Sequence, residues 1–585
     1  MKKLMLGNEA IARGAHEANC NVISAYPGTP STEITQYACA FDEIYCEWAP
    51  NEKVAMETAV GASVAGARAM CVMKHVGLNV AADPLFTASY TGVNGGLVIC
   101  VADDPGMHSS QNEQDSRHYA KSSKVPMLEP SNSEECKNFV ILAFELSERF
   151  DTPVLIRLST RISHSRSVVS IDEPVNVPKK KYTADYWKYV MMPAMARKRH
   201  PIIENRMNEA ALYAETIPVN RIEYGSKQFG LICGGAAYNY AREAFGDGAS
   251  YLKLGMVHPL ADGLINEFAK SVSQCFVIEE LDPFVEDHCR ALGVNIIGKE
   301  RFTMLGEYTP ELIYGAVTGE KIDPPAYAPA TLPGRPPVMC AGCPHRAAFT
   351  AIKQLNLNVC GDIGCYTLAA TPVLNSLHTC LCMGASIGMA HGMEKASAFL
   401  SEPIPKTVAV IGDSTFVHSG ITGLINAVYN KSAATVVILD NLTTGMTGHQ
   451  DHPSTGRTIR GEQTVQIDLE ALCKACGVTM VRTVDPFDLD AMKKALSEAV
   501  NSSEVSVIIS KRPCVLLKGV DVSGKNIIDK DKCRSCMQCM KIGCPAINRR
   551  GKEVSIDDVL CVGCSFCEKM CKFEAIGPKR RLSDG

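Results

Sequence analysis

Near its C-terminal end the chain reads CRSCMQCMKIGCPA from Cys533 and CVGCSFCEKMCKF from Cys561. Eight of its 26 cysteines fall in these two stretches. The opening MKKLMLGNEAIARG has no continuous apolar segment of the signal-peptide kind. No apolar run reaches the ~18 residues of a membrane span. A cytoplasmic location is therefore expected, where cysteines stay reduced and their clusters read as metal or redox sites rather than disulfides. The formal net charge of -4 over 585 residues argues against nucleic-acid binding. The short basic end GPKRR reads as a solvated terminus.

Each cysteine stretch has the form CxxCxxC with a fourth cysteine a few residues on: Cys533, Cys536, Cys539 and Cys544, then Cys561, Cys564, Cys567 and Cys571. Close spacing lets three thiolates of one loop bind three irons of a cubane. Zinc would favour two CxxC pairs over triplets, and a pair of zinc sites is the alternative reading. The arrangement is the bacterial two-cluster ferredoxin pattern, in which the fourth ligand comes from the other run. That pattern pairs Cys533, Cys536 and Cys539 with Cys571, and Cys561, Cys564 and Cys567 with Cys544. The first run has four residues before its last cysteine instead of three, which predicts a local bulge.

Upstream, short β-rich runs alternate with helical patterns, the signature of an α/β doubly wound fold. NVISAYP, RAMCVMKH, GGLVICVAD and PVLIRLS read as buried parallel strands, and EKVAMETAVGASVAGAR and SEECKNFVILAFELSERF as helices between them. A smaller α/β unit follows, with QFGLIC, YLKLGMVHPL and QCFVIEE. The proline-rich VTGEKIDPPAYAPATLPGRPPV reads as a linker. Beyond it KTVAVIGD, ATVVILDN and VSVIISKRP mark a second large α/β region.

In that region VAVIGDSTFVHSG runs from strand to helix, and VVILDNLTTGMTGHQ follows at the next strand end. A glycine after a strand lets backbone N–H groups approach a phosphate, and a helix N-terminus adds its dipole. Asp413 and Asn441 offer hard oxygen ligands at adjacent strand ends, which suits Mg²⁺ bridging a diphosphate.

This GDS…N spacing resembles the thiamine-diphosphate fold. AYPGTPSTEI resembles the pyrimidine-binding domain of the 2-oxoacid:ferredoxin oxidoreductases, and CAGCPHR, GDIGC and TGHQ fall where that family has similar motifs. With the terminal cysteine module, the order of parts is similar to the large subunits of its indolepyruvate-type branch. The resemblance implies an α/β pyrimidine-binding domain over 1–185, a linker over 186–227 and a transketolase C-terminal-like α/β domain over 228–320. It also implies a diphosphate/Mg-binding domain over 335–518 and a ferredoxin-like α+β domain with two [4Fe–4S] clusters over 524–585.

By the same resemblance, Asp413 and Asn441 bind Mg²⁺ through side chains and Thr443 through its carbonyl, while Gly412 and Ser414 sit on the diphosphate. Glu52 contacts the aminopyrimidine of the cofactor; read alone it is a helix-start carboxylate answering the dipole, with Glu57 its nearby competitor. Thr29 places a hydroxyl near the substrate carbonyl. His75 and Arg117 either meet a substrate carboxylate or are structural. Cys340, Cys343, Cys365 and Cys514 match positions that hold a third [4Fe–4S] cluster in many relatives; buried free cysteines or zinc are the alternatives, and Cys360 and Cys380 compete for a place. Met446 offers apolar surface suited to an aryl side chain.

The expected activity is oxidative decarboxylation of aryl 2-oxoacids (indolepyruvate, phenylpyruvate) to aryl-acetyl-CoA and CO₂, with ferredoxin reduced. Alternatives are the same chemistry on another 2-oxoacid, an aldehyde-releasing decarboxylase, and a non-catalytic electron relay. Coenzyme A, ferredoxin and a small beta subunit in an α₂β₂ assembly are the expected partners, with no nucleic acid and no membrane.

Overall fold

Parallel strands buried on both faces read as near-continuous apolar runs, and the strands anticipated from such runs are present. The computed structural model describes residues 1–178, 180–320, 334–402, 404–522 and 524–578. Most of the proline-rich linker and of the basic GPKRR end lies outside the described residues. The chain divides into two units, Met1–Ala328 and Pro329–Gly585.

In the first unit a seven-stranded sheet has the order Met256–His258, Met127–Leu128, Val154–Ser159, Leu97–Asp103, Ala69–Lys74, Val22–Ala25, Tyr45–Trp48. Six strands are parallel, and the Met256–His258 edge strand is antiparallel to its neighbour. A four-stranded sheet carries Gln274–Ile278, Phe229–Cys233 and Ser250–Lys253 in parallel, with Arg221–Glu223 antiparallel at its edge. YLKLGMVHPL thus splits between two sheets. Residues 186–227, expected as a linker, include the 22-residue helix Pro193–Ala214. It buries Ile203 and Ala210, and the buried Arg206 donates to the Ser89 carbonyl at 2.7 Å. Tertiary packing on a few apolar positions sustains this helix, not an amphipathic repeat.

The second unit is built on an all-parallel six-stranded sheet. Its order is Thr379–Cys380, Asn358–Gly361, Thr407–Gly412, Thr435–Asp440, Ser506–Lys511, Met480–Val484. Its last segment holds two small antiparallel pairings, Asn526–Ile528 with Ile576–Pro578 and Ile547–Arg550 with Glu553–Ile556. The 3-10 turns Gln538–Ile542 and Phe566–Met570 each follow the middle cysteine of a triplet. Open α/β sheets present ligand sites beyond the carboxyl ends of their strands. Both large sheets place their chemistry-bearing side chains there.

Candidate active site

In the first unit the polar residues gather past the ends of four neighbouring strands. The helix Glu52–Ala65 begins just beyond Tyr45–Trp48 because the Asn51 side chain accepts from Val54 N at 2.9 Å and satisfies one free N–H of its first turn. Glu52, 5 % exposed, therefore sits at a helix N-terminus. Gly77 lies against it: a Cβ there would come within 2.6 Å of Glu52 Cγ and Oε1. Glu57, by contrast, is exposed and paired with Lys53. Glu52 thus sits in a closed niche and Glu57 does not.

Thr29 follows Val22–Ala25 and is half-buried, and its carbonyl accepts from Ser109 Oγ at 3.2 Å. Lys74, at the end of Ala69–Lys74, is 7 % exposed and was not anticipated from the sequence. Its Nζ donates to Ser109 O at 2.6 Å and lies 3.4 Å from Ser109 Oγ. Burial lowers its pKa to about 8, opposed by the nearby Asp104 carboxylate. Asp104 accepts from Ser109 N, Ser110 Oγ and Thr160 Oγ1 at 2.6–2.8 Å. His75 is buried next to these groups, with Nε2 3.2 Å from Ser110 Oγ, and burial lowers its pKa. Thr29, Lys74, His75 and Glu52 thus line one stretch of strand ends.

Arg117 has a different role. It is buried, grips Asp115 through Nε and a second nitrogen, donates to Glu279 and reaches the carbonyls of Glu280 and Asp282. With its donors committed to these groups, Arg117 is structural and ties the seven-stranded sheet to the Glu279 strand end.

In the second unit Asp413 follows Thr407–Gly412, and Asn441 follows Thr435–Asp440. Asp413 Oδ1 accepts from Ser414 N at 2.8 Å, and Oδ2 from Leu442 N at 2.9 Å and Asn441 N at 3.2 Å. Backbone donors hold the carboxylate in place without using a competing cation. Thr443 is buried, and its hydroxyl has no hydrogen-bond partner among the described residues. Thr444 Oγ1 donates to Ser414 Oγ at 3.0 Å, joining the two loops. A Cβ on Gly412 would lie 2.8 Å from the Tyr366 ring, so the backbone approach there needs glycine. Met446 is exposed on the turn Gly445–Thr447.

Three further residues escaped the sequence reading. His452 Nε2 lies 3.4 Å from Asp413 Oδ2. His345 of CAGCPHR is buried, and burial depresses its pKa to about 4 despite the nearby Asp413 charge. Asp362 of GDIGC accepts from Ile363 N, Gly384 N and Ser386 N at 2.9–3.0 Å and so ties its own loop to the start of the helix Ala385–Ser397. The signal of His345 and Asp362 was present in motifs noted for their cysteines, whereas His452 stands in none of the motifs.

The cysteines fall into three groups. Burial raises the Cys539 thiol, and the charges of Cys536, Cys571 and Cys533 add to the effect. Burial raises Cys567 to about 12, an Asn526 hydrogen bond opposes it, and Cys564, Cys544 and Cys561 add to it. Cys571 is thus among the neighbours of the first triplet and Cys544 among those of the second. The loops repeat in backbone detail: Ser535 and Gly563 precede, and Met537 and Ser565 follow, the middle cysteines, all at positive φ. The extra residue of the first run is absorbed at Gly543, φ +66°. Asn526 N and Nδ2 donate to Cys561 and Cys567 sulfurs at 3.4 and 3.6 Å, and Ala575 N to Cys571 at 3.3 Å. A small pocket is lined by Cys544, Cys561, Cys564 and Cys567.

In the third group Cys365 is raised to about 11 by burial, then by Cys514 and Cys340. Cys343 closes a turn on Cys340, its N–H donating to that carbonyl at 3.2 Å. The group borders the Asp413 loops: Cys514 N donates to the Asn441 carbonyl at 2.9 Å, and a Cβ on Gly445 would lie 3.5 Å from Cys365 Sγ. Cys360 is instead buried in its strand, 3.4 Å from Met393 Sδ, and Cys380 Sγ lies 3.6 Å from the Asp362 carbonyl.

Comparison with known proteins agrees with this division. Residues 13–224 match the family of the pyruvate flavodoxin/ferredoxin oxidoreductase thiamine-diphosphate-binding domain. Residues 362–510 match the C-terminal TPP-binding domain of thiamine pyrophosphate enzymes. A protein of Archaeoglobus fulgidus named indolepyruvate oxidoreductase subunit IorA is 42 % identical, over 99 % of this chain and 98 % of its own. The protein of that name from Methanothermobacter thermautotrophicus is 39 % identical, over 99 % and 97 %. A solved 2-oxoglutarate:ferredoxin oxidoreductase from Magnetococcus marinus is 18 % identical, with a TM-score of 0.45, over 54 % of this chain and 65 % of that one. Among the described residues no helix is long and apolar enough to cross a membrane.

Proposed function

Because the chain belongs to the family of the indolepyruvate oxidoreductase IorA subunits, we propose that it catalyses the oxidative decarboxylation of aryl 2-oxoacids, indolepyruvate and phenylpyruvate, to aryl-acetyl-CoA and CO₂. Electrons leave to ferredoxin. The observation that carries this reading is the placement of the Cys340, Cys365 and Cys514 group against the Asp413–Asn441 loops. A decarboxylation site whose first electron acceptor is adjacent has no need of a diffusing redox cofactor.

The cofactor is thiamine diphosphate, which when bound supplies an electron sink for loss of CO₂. The donor chemistry of the second unit fits its diphosphate and Mg²⁺: Asp413 and Asn441 through side chains and Thr443 through its carbonyl are hard oxygen ligands, and Gly412 lets backbone approach. Glu52 would meet the aminopyrimidine of the bound cofactor and govern the proton there. Thr29 and Lys74 orient the substrate. An ammonium has three N–H donors; Ser109 lies within reach of two, and the third answers the substrate carboxylate. Met446 supplies apolar contact for an aryl group.

The thiolate sets fit [4Fe–4S] clusters, whose sulfur ligands accept backbone and amide N–H bonds of the kind Asn526 and Ala575 provide. We assign one to Cys533, Cys536, Cys539 and Cys571, one to Cys561, Cys564, Cys567 and Cys544, and a third to Cys340, Cys343, Cys365 and Cys514. The segment over 524–585 is thus a ferredoxin-like module with two clusters. A small beta subunit in an α₂β₂ assembly and coenzyme A complete the reaction in the cytoplasm.

The test is anaerobic viologen reduction by the native complex with thiamine diphosphate, Mg²⁺ and coenzyme A. Indolepyruvate, phenylpyruvate, pyruvate and 2-oxoglutarate are compared. The proposal expects reduction that requires coenzyme A and prefers the aryl acids. Preference for pyruvate or 2-oxoglutarate would reassign the substrate, and no reduction from cluster-replete protein would point to an electron relay.

A further inference from the structure

Arg346, in the first turn of the helix Pro344–Gln354, is a buried cation to which the chemistry so far gives no task. It is 4 % exposed. One terminal nitrogen donates to the carbonyls of Ile542 at 2.8 Å and Gly543 at 2.5 Å; the other donates to those of Met339 at 2.6 Å and Cys340 at 3.3 Å. Its Nε is buried and has no hydrogen-bond partner among the described residues. All four acceptors are backbone carbonyls. They satisfy N–H groups but do not neutralise the charge, and a buried charge without a counter-charge is costly.

The groups whose charge acts on the guanidinium are cysteines of two different sets, Cys544 and Cys564 of one and Cys343 and Cys340 of the other. The two sets adjoin in the backbone as well. Gly342, φ +75°, leaves no room for a side chain: a Cβ there would lie 2.4 Å from Val562 Cγ2 and 3.5 Å from Cys564 Cβ. Arg346 also borders the pocket lined by the Cys544 set.

We propose that Arg346 is the shared counter-charge of two iron–sulfur clusters, those of the Cys340 and Cys544 sets, and a positioning residue for electron transfer between them. Each cluster with four thiolates carries net negative charge and gains one more on reduction. A cation between them stabilises both reduced forms and raises both potentials together. One electron then passes from the first to the second with no bond made or broken. The same side chain clamps the Met339–Cys340 loop to the Ile542–Gly543 loop and so fixes the separation of the sets. The inference rests on the cluster assignment of the proposed function.

The experiment compares wild type, Arg346→Gln and Arg346→Lys, each as the complete complex purified anaerobically. Iron is counted, and each cluster is followed by redox titration monitored by electron paramagnetic resonance. In Arg346→Gln the clusters of the Cys340 and Cys544 sets should become harder to reduce by tenfold or more in equilibrium constant, about 59 mV for a one-electron couple. The Cys533-set cluster should hold its potential, and Arg346→Lys should stay near wild type. Unchanged potentials in Arg346→Gln, a shift of only one of the two, or an equal shift of all three would overturn the proposal. So would cluster loss in both variants, which would make the arginine a purely structural clamp. Wild-type complex without these clusters would refute the assignment itself, and iron counting separates that failure from the others.

Discussion

Glu52 keeps its place because residue 77 has no side chain. A Cβ at Gly77 would fall 2.6 Å from the Glu52 carboxylate, so Gly77→Ala must push it aside. A misplacement of about 1 Å at a reacting centre costs on the order of 10²-fold in rate, and loss of a general acid–base group about 10²–10⁴-fold. Gly77→Ala should therefore lower kcat by about 10² while the complex still binds thiamine diphosphate, and Glu52→Gln should lower it by at least as much. A Gly77→Ala enzyme at the wild-type rate would remove Glu52 from the chemistry. Lys74 gives a pH test. Its pKa of about 8 means it is charged below that pH and neutral above. KM for the 2-oxoacid should rise as pH passes about 8. Lys74→Met should show a high KM with that limb absent, and a limb that survives the substitution would acquit Lys74. Glu52 and Asp413 could be proposed from the sequence because each sits in a motif with a family counterpart. Lys74 could not, because a lysine ending an apolar run looks the same whether it emerges into water or is covered. Only the arrival of Gly28 and Ser109 over it decides. Arg117 was ambiguous for the same reason, and its partners Asp115, Glu279 and Glu280 resolve it.

At the scale of elements, the strands were the readable part, since a strand covered on both faces has only one pattern to show. The division of YLKLGMVHPL between two sheets was not readable, because no local signal tells a chain which neighbour it will pair with. The Pro193–Ala214 helix was hidden by a short supply of apolar positions and an internal Pro201. The contact of the CAGC loop with the CVGC loop was also invisible, and it can be tested. Gly342→Ala forces an L-residue to φ +75° and drives a methyl into Val562. The left-handed backbone alone costs roughly 1–2 kcal/mol. The variant should lose thermal stability and iron. Val562→Ala combined with it should recover part of the loss, because the two sites are in contact and their effects are not additive. Additive losses in the double variant would show that the loops do not meet.

For the whole molecule, the cysteines tell how far the sequence carries. The terminal pairing could be proposed from the sequence because each triplet is contiguous and the rule for the fourth ligand is topological. The third set was harder to propose, since Cys340, Cys343, Cys365 and Cys514 are spread across a domain and only the parallel sheet gathers their loops. Protein purified without oxygen should contain about twelve irons per chain, four per cubane; about eight in fully active enzyme would exclude the third cluster. The most direct measurement of the central claim, that the thiamine site feeds the cysteine module, uses the Asp413→Ala complex beside wild type. Both are given indolepyruvate anaerobically, then dithionite, while cluster reduction is followed by visible absorbance. The account predicts that substrate reduces the clusters of wild type but not those of Asp413→Ala, whereas dithionite reduces both. Substrate reduction of the clusters in Asp413→Ala at the wild-type rate would contradict it.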